Sequence, residues 1–229
     1  MCGRFTLGKG RQTILQHFEL EEGPELAPRF NIAPTQPVAA VRLDPARQAR
    51  ELVLLRWGLI PAWAKKADIG ARTINARSES LALKPAFRES FRRRRCIIPA
   101  DGFYEWKQEN GGKQPYYVHR PDGELLGLAG LWDRWRAPTG EAVESCTIVT
   151  MPASAVLARI HDRMPAILAR EDYGAWLDPG TAPSRLAALT GASGAGDLEA
   201  YPVSRRVNRA ENEGPECRTR LQLDPLTPA

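Results

Sequence analysis

A change of hydrophobic period near residue 95 constrains the fold of this 229-residue chain more than any other feature. From that point the sequence breaks into short β-type runs instead of long amphipathic helices. Asn110-Gly111-Gly112 and Pro121-Asp122-Gly123 separate some of these runs and are typical of hairpin turns. The pattern predicts strands over residues 95–99, 103–107, 116–119, 125–132 and 145–151. This spacing favours an antiparallel meander over βαβ units.

The remaining segments add short helices and one further pair of strands. Strands are predicted over 38–43 and 51–57, on either side of a polar turn at Asp44-Pro45. Helices are predicted over 12–18, 78–83, 85–94, 153–160, 171–177 and 184–189. No repeat, linker or composition break requires a second domain. We therefore expect an α+β fold: a single domain over residues 1–229, with an antiparallel β-rich, barrel-like core flanked by short helices and a loosely held tail from about residue 209.

Composition excludes several classes of protein and indicates a possible partner. No apolar run is long enough to span a bilayer, and the N-terminus has no secretory h-region, which predicts a cytoplasmic protein with no membrane partner. The four cysteines form no CxxC pair, so free thiols are expected rather than disulfides or structural zinc. Residues 1–115 hold 20 basic and 12 acidic side chains, against 12 and 15 in the rest. This asymmetry is compatible with a basic face for nucleic acid or with an ordinary solvated surface.

Cys2 is the most reactive candidate, because removal of Met1 would make it the N-terminal residue. An N-terminal cysteine carries an amine of ordinary pKa about 7.7–8.0 next to a thiol of about 8.5. The amine can condense with an aldehyde to give an imine, and the thiol can then close a five-membered thiazolidine intramolecularly. A cysteine at position 2 is, however, more often an inert residue.

Three polar segments resemble site loops and supply candidate helpers for Cys2. Asn75 precedes a predicted helix, Glu105 lies between two aromatic residues, and His161 follows a predicted helix. A carboxyl held among aromatics can be raised in pKa by desolvation and serve as an acid or base. Each residue also has a structural interpretation: Asn75 as a helix cap, Glu105 as an edge-strand charge and His161 as a helix C-terminal residue.

Seven segments, in a fixed order, resemble the SRAP (SOS response-associated peptidase) family, whose members shield abasic sites in DNA by crosslinking to them. The segments are CGRF from Cys2, RFNIAPT at 29–35, RWGLIP at 56–61, NARSE at 75–79, ADGFYEW at 100–106, IHDRMP at 160–165 and PVS at 202–204. The resemblance implies an abasic-site crosslinking activity, with possible lyase activity and self-reversal. It implies Cys2 as the nucleophile, Asn75 orienting the amine and the opened sugar, Glu105 contacting the amine, and His161 as acid/base on the sugar oxygen.

The same resemblance implies DNA as the partner: single strands containing abasic sites, and junctions of single and double strands. The matching residues for DNA contact are Arg4, Asn31, Pro34, Trp63, Arg77, Thr150 and Arg163. Some relatives carry two consecutive tryptophans where this chain has Trp63-Ala64, so half of an aromatic wedge is absent here. No cofactor and no metal are expected, and the chain is expected to be a monomer.

The basic run over residues 84–95 has six positive charges and one negative. It is explained either by the C-terminal end of a helix, which favours cations, or by a salt-dependent contact with DNA. The two explanations stay open for Arg92 and Arg95.

Two other function classes remain open at this stage. In an N-terminal-nucleophile thiol peptidase or amidohydrolase, Cys2 would attack a carbonyl and its own amine would act as the base. A non-catalytic DNA-binding module would bind without need of Cys2, but the sequence has no helix-turn-helix, zinc-finger or RNP-like motif.

Overall fold

The structure is a computed structural model that describes residues 2–44, 46–109, 111–191, 194 and 196–222. Within these residues the strands are β1 (Arg4–Leu7), β2 (Arg29–Ile32), β3 (Pro37–Leu43), β4 (Arg50–Trp57), β5 (Asn75–Arg77), β6 (Arg95–Ala100), β7 (Gly102–Glu109), β8 (Gly112–His119), β9 (Leu126–Arg136), β10 (Ala142–Pro152), β11 (Arg163–Pro165), β12 (Ile167–Leu168) and β13 (Glu199–Pro202). The α-helices are α1 (Arg11–Phe18), α2 (Arg88–Arg93), α3 (Tyr173–Leu177) and α4 (Pro183–Gly191).

Two sheets make up the fold. Strands β10, β4, β3, β6 and β9 are hydrogen-bonded in that order, and β9 pairs again with β10, so this ring of five strands is closed. The β10–β4 pair is parallel and the other pairs of the ring are antiparallel. The second sheet has the order β13-β8-β7-β1-β2. Closure removes the exposed edges that an open sheet would leave. The prediction of an α+β domain with an antiparallel β-rich, barrel-like core is confirmed.

Long apolar strands explain why the barrel forms. β6 is buried along its whole length, as is β9 from Leu126 to Asp133. Strands that are covered on both faces carry continuous hydrophobic runs instead of alternating ones. Helix α1 packs Ile14, Leu15 and Phe18 against this core, with the Phe18 ring stacked on Tyr173 at 5.1 Å. The core is thereby closed on the outside by short helices.

A glycine brings the second sheet close enough to hold the site. Gly102 opens β7, and a Cβ at this position would meet the Val118 carbonyl oxygen and the Tyr117 ring of the neighbouring strand. Only glycine therefore fits here without displacing β8. The rest of β7, which lies between β8 and β1, carries Glu105.

Two predicted helices are wrong. Residues 78–83 form only a single 3₁₀ turn at Ser78–Ser80, and residues 153–160 only one at Leu157–Arg159. Neither turn has a side-chain cap, and segments this short do not sustain an α-helix without one. The predicted helix at 85–94 is shortened to α2, and that at 171–177 is divided between a 3₁₀ turn and α3. The predicted turn residues Pro45 and Asn110 lie outside the described residues.

Residues 209–222, the described part of the predicted loose tail, make several contacts. Cys217 is fully buried, Val203 and Arg220 form an antiparallel bridge, and the Leu221 N–H donates to the Pro202 carbonyl oxygen. These contacts tie the segment to the second sheet. Residues 223–229 lie outside the described residues. No described helix is long and apolar enough to cross a membrane.

Candidate active site

Cys2 lies two residues before β1, an inner strand of the second sheet. Phe5 and Leu7 of β1 are buried in the core and fix the strand in place. Cys2 itself is fully buried, and its Sγ lies 3.8 Å from the Arg4 carbonyl oxygen. Burial raises the pKa of the Cys2 thiol well above its ordinary range, and the nearby Glu105 carboxylate raises it further. The thiol is therefore protonated at neutral pH and needs a proton acceptor in order to react.

Asn75 reaches Cys2 from the other sheet. It opens β5, which pairs in parallel with β10 so that Asn75 lies opposite Ile148. The Asn75 Nδ2 donates a hydrogen bond of 2.7 Å to the Cys2 carbonyl oxygen. The Asn75 Oδ1 is buried and has no hydrogen-bond partner among the described residues. Asn75 thus fixes the backbone of Cys2 and presents an unused acceptor beside it, instead of capping a helix.

Glu105 lies on β7, which pairs directly with β1. The register sets Tyr104 opposite Arg4, which carries Glu105 toward the start of the chain. Its side chain is almost completely buried, and burial raises its pKa to about 7. The Glu105 carboxyl can therefore both accept and release a proton near neutral pH. Its interpretation as a solvated edge-strand charge is excluded by this burial.

His161 follows the 3₁₀ turn at Leu157–Arg159 and precedes β11. Its Nδ1 lies 3.0 Å from the backbone N–H of Arg163 and 2.8 Å from an Asp162 carboxylate oxygen. Only an unprotonated Nδ1 can accept from the N–H, and only a protonated one can donate to Asp162. Burial lowers the pKa of His161. Since Asp162 is mostly exposed and its ion pair weak, we assign the neutral ring, with its proton on Nε2.

Glu105 and His161 line the same cleft, which has a volume of about 360 Å³. This lies in the usual range for small-ligand sites, roughly 300–1,000 Å³. The cleft is also lined by Trp106, Lys113 and Asn208, none of which the sequence analysis selected. Trp106 adjoins Glu105 in the ADGFYEW segment, so the motif itself could have indicated it. Lys113 enters only through the β7–β8 register and Asn208 only through tertiary packing, with the Trp106 Nε1 donating to its Oδ1 at 2.8 Å.

Two of the residues predicted to contact DNA, Arg77 and Trp63, are exposed. Arg77 is two residues from Asn75 on β5, so the two side chains emerge on the same face of the strand. No described residue pairs with the Arg77 guanidinium. The Trp63 side chain is 60% exposed, and its Nε1 lies 3.3 Å from the Pro85 carbonyl oxygen. Both are accessible to a nucleic acid.

Arg4 and Asn31 instead hold the C-terminal segment. The Asn31 amide is buried and donates to the carbonyl oxygens of residues 207, 209 and 212 at 2.9–3.2 Å. The Arg4 guanidinium donates to the Asn31 Oδ1 and to the carbonyl oxygens of Val207 and Asn208. Buried donors of this kind stabilise a fold because nothing else would satisfy those carbonyls. The arrangement leaves the predicted contact of the Asn31 side chain with DNA unsupported.

The remaining predicted DNA contacts are occupied or buried. Arg163 is buried and forms a bidentate pair with the Glu79 carboxylate, which lowers the pKa of Glu79 to about 2. Arg163 also donates to the Thr150 carbonyl oxygen at 2.6 Å. Thr150 is fully buried, so a contact between its side chain and DNA is unsupported, whereas Pro34 is half-buried at a turn. Arg163 could reach a phosphate only after Glu79 gives way.

No group of three or more histidine, cysteine or acidic side chains in the described part of the chain is arranged to hold a metal ion. All four cysteines are free and buried. Glu105, with a carboxyl pKa near neutrality, and the neutral His161 can each transfer a proton, whereas the Asn75 amide can only donate and accept hydrogen bonds.

This fold and site define a β-barrel protein in which Asn75 is hydrogen-bonded to the second residue, Cys2, and the neighbouring Glu105 lines a cleft together with His161. Residues 1–210 match the family described as SOS response associated peptidase (SRAP). The chain belongs to that family, as its motifs indicated.

Relatives extend the match over nearly the whole chain. The chain is 42% identical over 222 residues to the abasic site processing protein YoqW of Bacillus subtilis, covering 94% of this chain and 98% of that protein. It is 37% identical over 203 residues to the abasic site processing protein HMCES of Xenopus tropicalis, covering 79% of this chain but 60% of that longer protein.

Solved structures support the same fold. A crystal structure of a protein from Bacteroides thetaiotaomicron aligns with a TM-score of 0.87 at 26% identity, covering 96% of this chain and all of that one. A second, from Bordetella bronchiseptica, aligns with a TM-score of 0.75 at 30% identity over 89% of this chain.

Proposed function

We propose that this protein processes abasic sites in DNA by forming a covalent crosslink through Cys2 once Met1 has been removed. The observation that carries the proposal is the convergence on Cys2 of Asn75, hydrogen-bonded to its carbonyl oxygen, and Glu105, buried beside it. The names of the relatives supply the substrate: YoqW and HMCES are both abasic site processing proteins. An abasic site opens to an aldehyde, and an N-terminal aminothiol reacts with aldehydes.

The reaction has two steps. The Cys2 amine attacks the aldehyde carbon and water leaves, which gives an imine. The thiol then adds across the C=N bond, so that a C–S bond forms at carbon and the thiol proton passes to nitrogen. The product is a thiazolidine, and no oxidant or reductant is required. Ring closure within one residue has a high effective concentration, which favours the closed product over the open imine.

Glu105 and His161 move the protons in this scheme. The amine must lose a proton to attack, and Glu105, with its pKa near 7, accepts it. The thiol, held protonated by burial, can pass its proton to the same carboxylate during ring closure. The neutral His161 donates from Nε2 to the sugar oxygen, which favours the open-chain aldehyde over the closed hemiacetal. Asn75 keeps the Cys2 backbone in position throughout.

Single-stranded DNA is the form of substrate that the exposed residues favour. Trp63 can stack on a base, and Arg77 can bind a phosphate next to Asn75. A base that must reach an exposed indole cannot remain in a duplex stack. Reversal of the crosslink and strand cleavage through the imine would use the same proton transfers in the opposite direction.

The test is incubation of the protein with a single-stranded oligonucleotide that contains one abasic site, followed by a denaturing gel. We expect a heat-stable retarded band with the processed chain and none with Cys2→Ala. Cys217→Ala is the matched control, because Cys217 is equally buried but packs in a separate cluster, and it should crosslink normally. A band that survives Cys2→Ala would refute the proposal. Intact mass identifies the preparations that retain Met1, which should be inert.

A further inference from the structure

A groove with a volume of about 870 Å³ lies between α2 and the segment 177–186, which runs from the end of α3 into α4. Leu43 at the end of β3 and Trp132 on β9 also line it. None of its lining residues is shared with the cleft that holds Glu105 and His161. The groove is therefore distinct from that cleft.

Its charge is of one sign. Five arginines line the groove, and no aspartate or glutamate does. Three of the five are already engaged within the protein. Arg93 lies 3.5 Å from Glu89, Arg94 lies 3.1 Å from Asp133, and Arg95 is buried, donating to four backbone carbonyls around the helix end. This last contact settles Arg95 as a structural residue of the helix end.

Arg88 and Arg92 are different. Both side chains are exposed on α2, and neither forms a hydrogen bond or an ion pair with any residue in the described part of the chain. They are four positions apart, so they emerge on the same face of the helix. Two neighbouring, unpaired guanidinium groups on one rim of a groove without carboxylates favour an anionic occupant.

The wall of the groove opposite Arg88 and Arg92 is apolar. Pro179, Ala182 and Pro183, all exposed, form much of the opposite wall, whereas the lining residues Leu177 and Leu186 are buried. Leu83, the neighbour of the lining residue Ala82, is 75% exposed and adds apolar surface beside the groove. An occupant that bound only through the arginines would leave this surface uncovered.

These features match a peptide better than a nucleic acid. Strands of DNA or RNA bind through open aromatic faces on which bases stack. The two aromatic rings of the groove are closed to such stacking: Phe91 and Trp132 are 6% and 9% exposed, and the Arg42 guanidinium covers the Trp132 ring at 4.2 Å. Leucine-sized side chains could enter between the walls while neighbouring carboxylates meet Arg88 and Arg92.

We propose that the groove between α2 and α4 binds an acidic, apolar segment of a partner protein. Arg88 and Arg92 bind its carboxylates, and the exposed apolar wall around Pro179 and Pro183 covers its apolar side chains. The site is separate from the crosslinking centre, so a partner bound there can hold this protein near DNA while Cys2 reacts.

The probe is a fluorescein-labelled decapeptide of aspartate, leucine and phenylalanine, titrated with the full chain and followed by anisotropy. Two matched peptides replace either the aspartates by lysine or the apolar residues by serine. The variants are Arg88→Glu/Arg92→Glu, the groove-filling Ala182→Trp, and the control Arg205→Glu/Arg209→Glu, which makes the same change of net charge on exposed arginines outside the groove.

We expect micromolar binding of the acidic, apolar peptide and at least tenfold weaker binding of both matched peptides. Arg88→Glu/Arg92→Glu and Ala182→Trp should each weaken binding of the acidic, apolar peptide at least tenfold, whereas the control pair should change it less than twofold. All of these variants should crosslink to abasic-site DNA as the native chain does. Absence of peptide binding, or equal weakening by both charge-reversal pairs, would overturn the proposal. The proposal would also be overturned if the native chain bound no peptide while Arg88→Glu/Arg92→Glu lowered its affinity for an undamaged single-stranded oligonucleotide. That result would make the groove a nucleic-acid surface.

Discussion

The ionisation of Glu105 affects both the free energy of unfolding and the proposed crosslinking reaction. Replacing Glu105 with glutamine should change these two quantities in opposite directions. Burial raises the pKa of Glu105 from 4.5 to about 7. At about 1.4 kcal/mol per pH unit, ionising this carboxyl in the folded chain costs about 3 kcal/mol more than in the unfolded chain. Below pH 4.5 the group is protonated in both states and the cost is absent. The cost grows as the pH rises from 4.5 to about 7 and is constant above that.

Glu105→Gln keeps the shape of the side chain and removes the ionisation. We therefore expect the variant to be more stable than the native chain by about 3 kcal/mol at pH 8, and by less than about 1 kcal/mol at pH 5. Urea unfolding at the two pH values measures both differences. Glu109→Gln, an exposed carboxyl on the same strand, is the control and should change stability little at either pH.

The crosslinking rate of Glu105→Gln should fall although its stability rises. The variant loses the proton acceptor, so its crosslinking rate at pH 7 should fall by about 10²-fold or more, in the range of a general acid–base residue. The native rate should rise with pH toward about 7 as Glu105 ionises. Two results would show that burial does not raise the pKa of the Glu105 carboxyl: a difference in free energy of unfolding between variant and native chain that does not depend on pH, or a variant that is less stable than the native chain at pH 8.

Three other substitutions test separate parts of the site. Asn75→Ala removes the hydrogen bond to the Cys2 carbonyl and should slow crosslinking at least tenfold while costing only about 1 kcal/mol of stability, as seen in gel kinetics and urea unfolding. Glu79→Gln releases Arg163 from its bidentate pair, so the variant should bind single-stranded DNA more tightly. The slope of log affinity against log salt concentration, measured by anisotropy, should become steeper by about 0.7. An unchanged slope would count against a phosphate contact by Arg163. Trp63→Ala should weaken that binding by about 1–3 kcal/mol with an unchanged melting temperature, and equal loss of both would contradict stacking.

The β-rich part of the fold could be predicted because its strands are continuous apolar runs separated by turn residues. The predicted strands at 95–99, 103–107 and 145–151 correspond to β6, β7 and β10, each extended at its ends by pairing with neighbours. Strands β1, β2 and β5 gave no such signal. They are three or four residues long, and they are strands only because longer neighbours offer them hydrogen bonds. Closure of the barrel by β9 and β10 likewise depends on tertiary contacts.

The centre of the candidate site was easier to predict than its surroundings. Cys2, Asn75 and Glu105 are unusual in their local sequence, and the fold brings them together from three strands or strand ends. The predicted DNA contacts came from the family resemblance, which does not reveal a competing partner inside the protein. Arg163 is held by Glu79, and Asn31 by backbone carbonyls more than 170 positions away in sequence. Such pairings exist only in the folded chain.

The central claim is that the amine and the thiol of Cys2 act together, and Cys2→Ser tests it most directly. The serine variant keeps the N-terminal amine but cannot close a thiazolidine. With processed protein and abasic single-stranded DNA, we predict a heat-stable band from the native chain without any reductant. The serine variant should give a stable band only when borohydride reduces its imine. An equally stable band from Cys2→Ser without borohydride, or no band from either protein with it, would contradict the account.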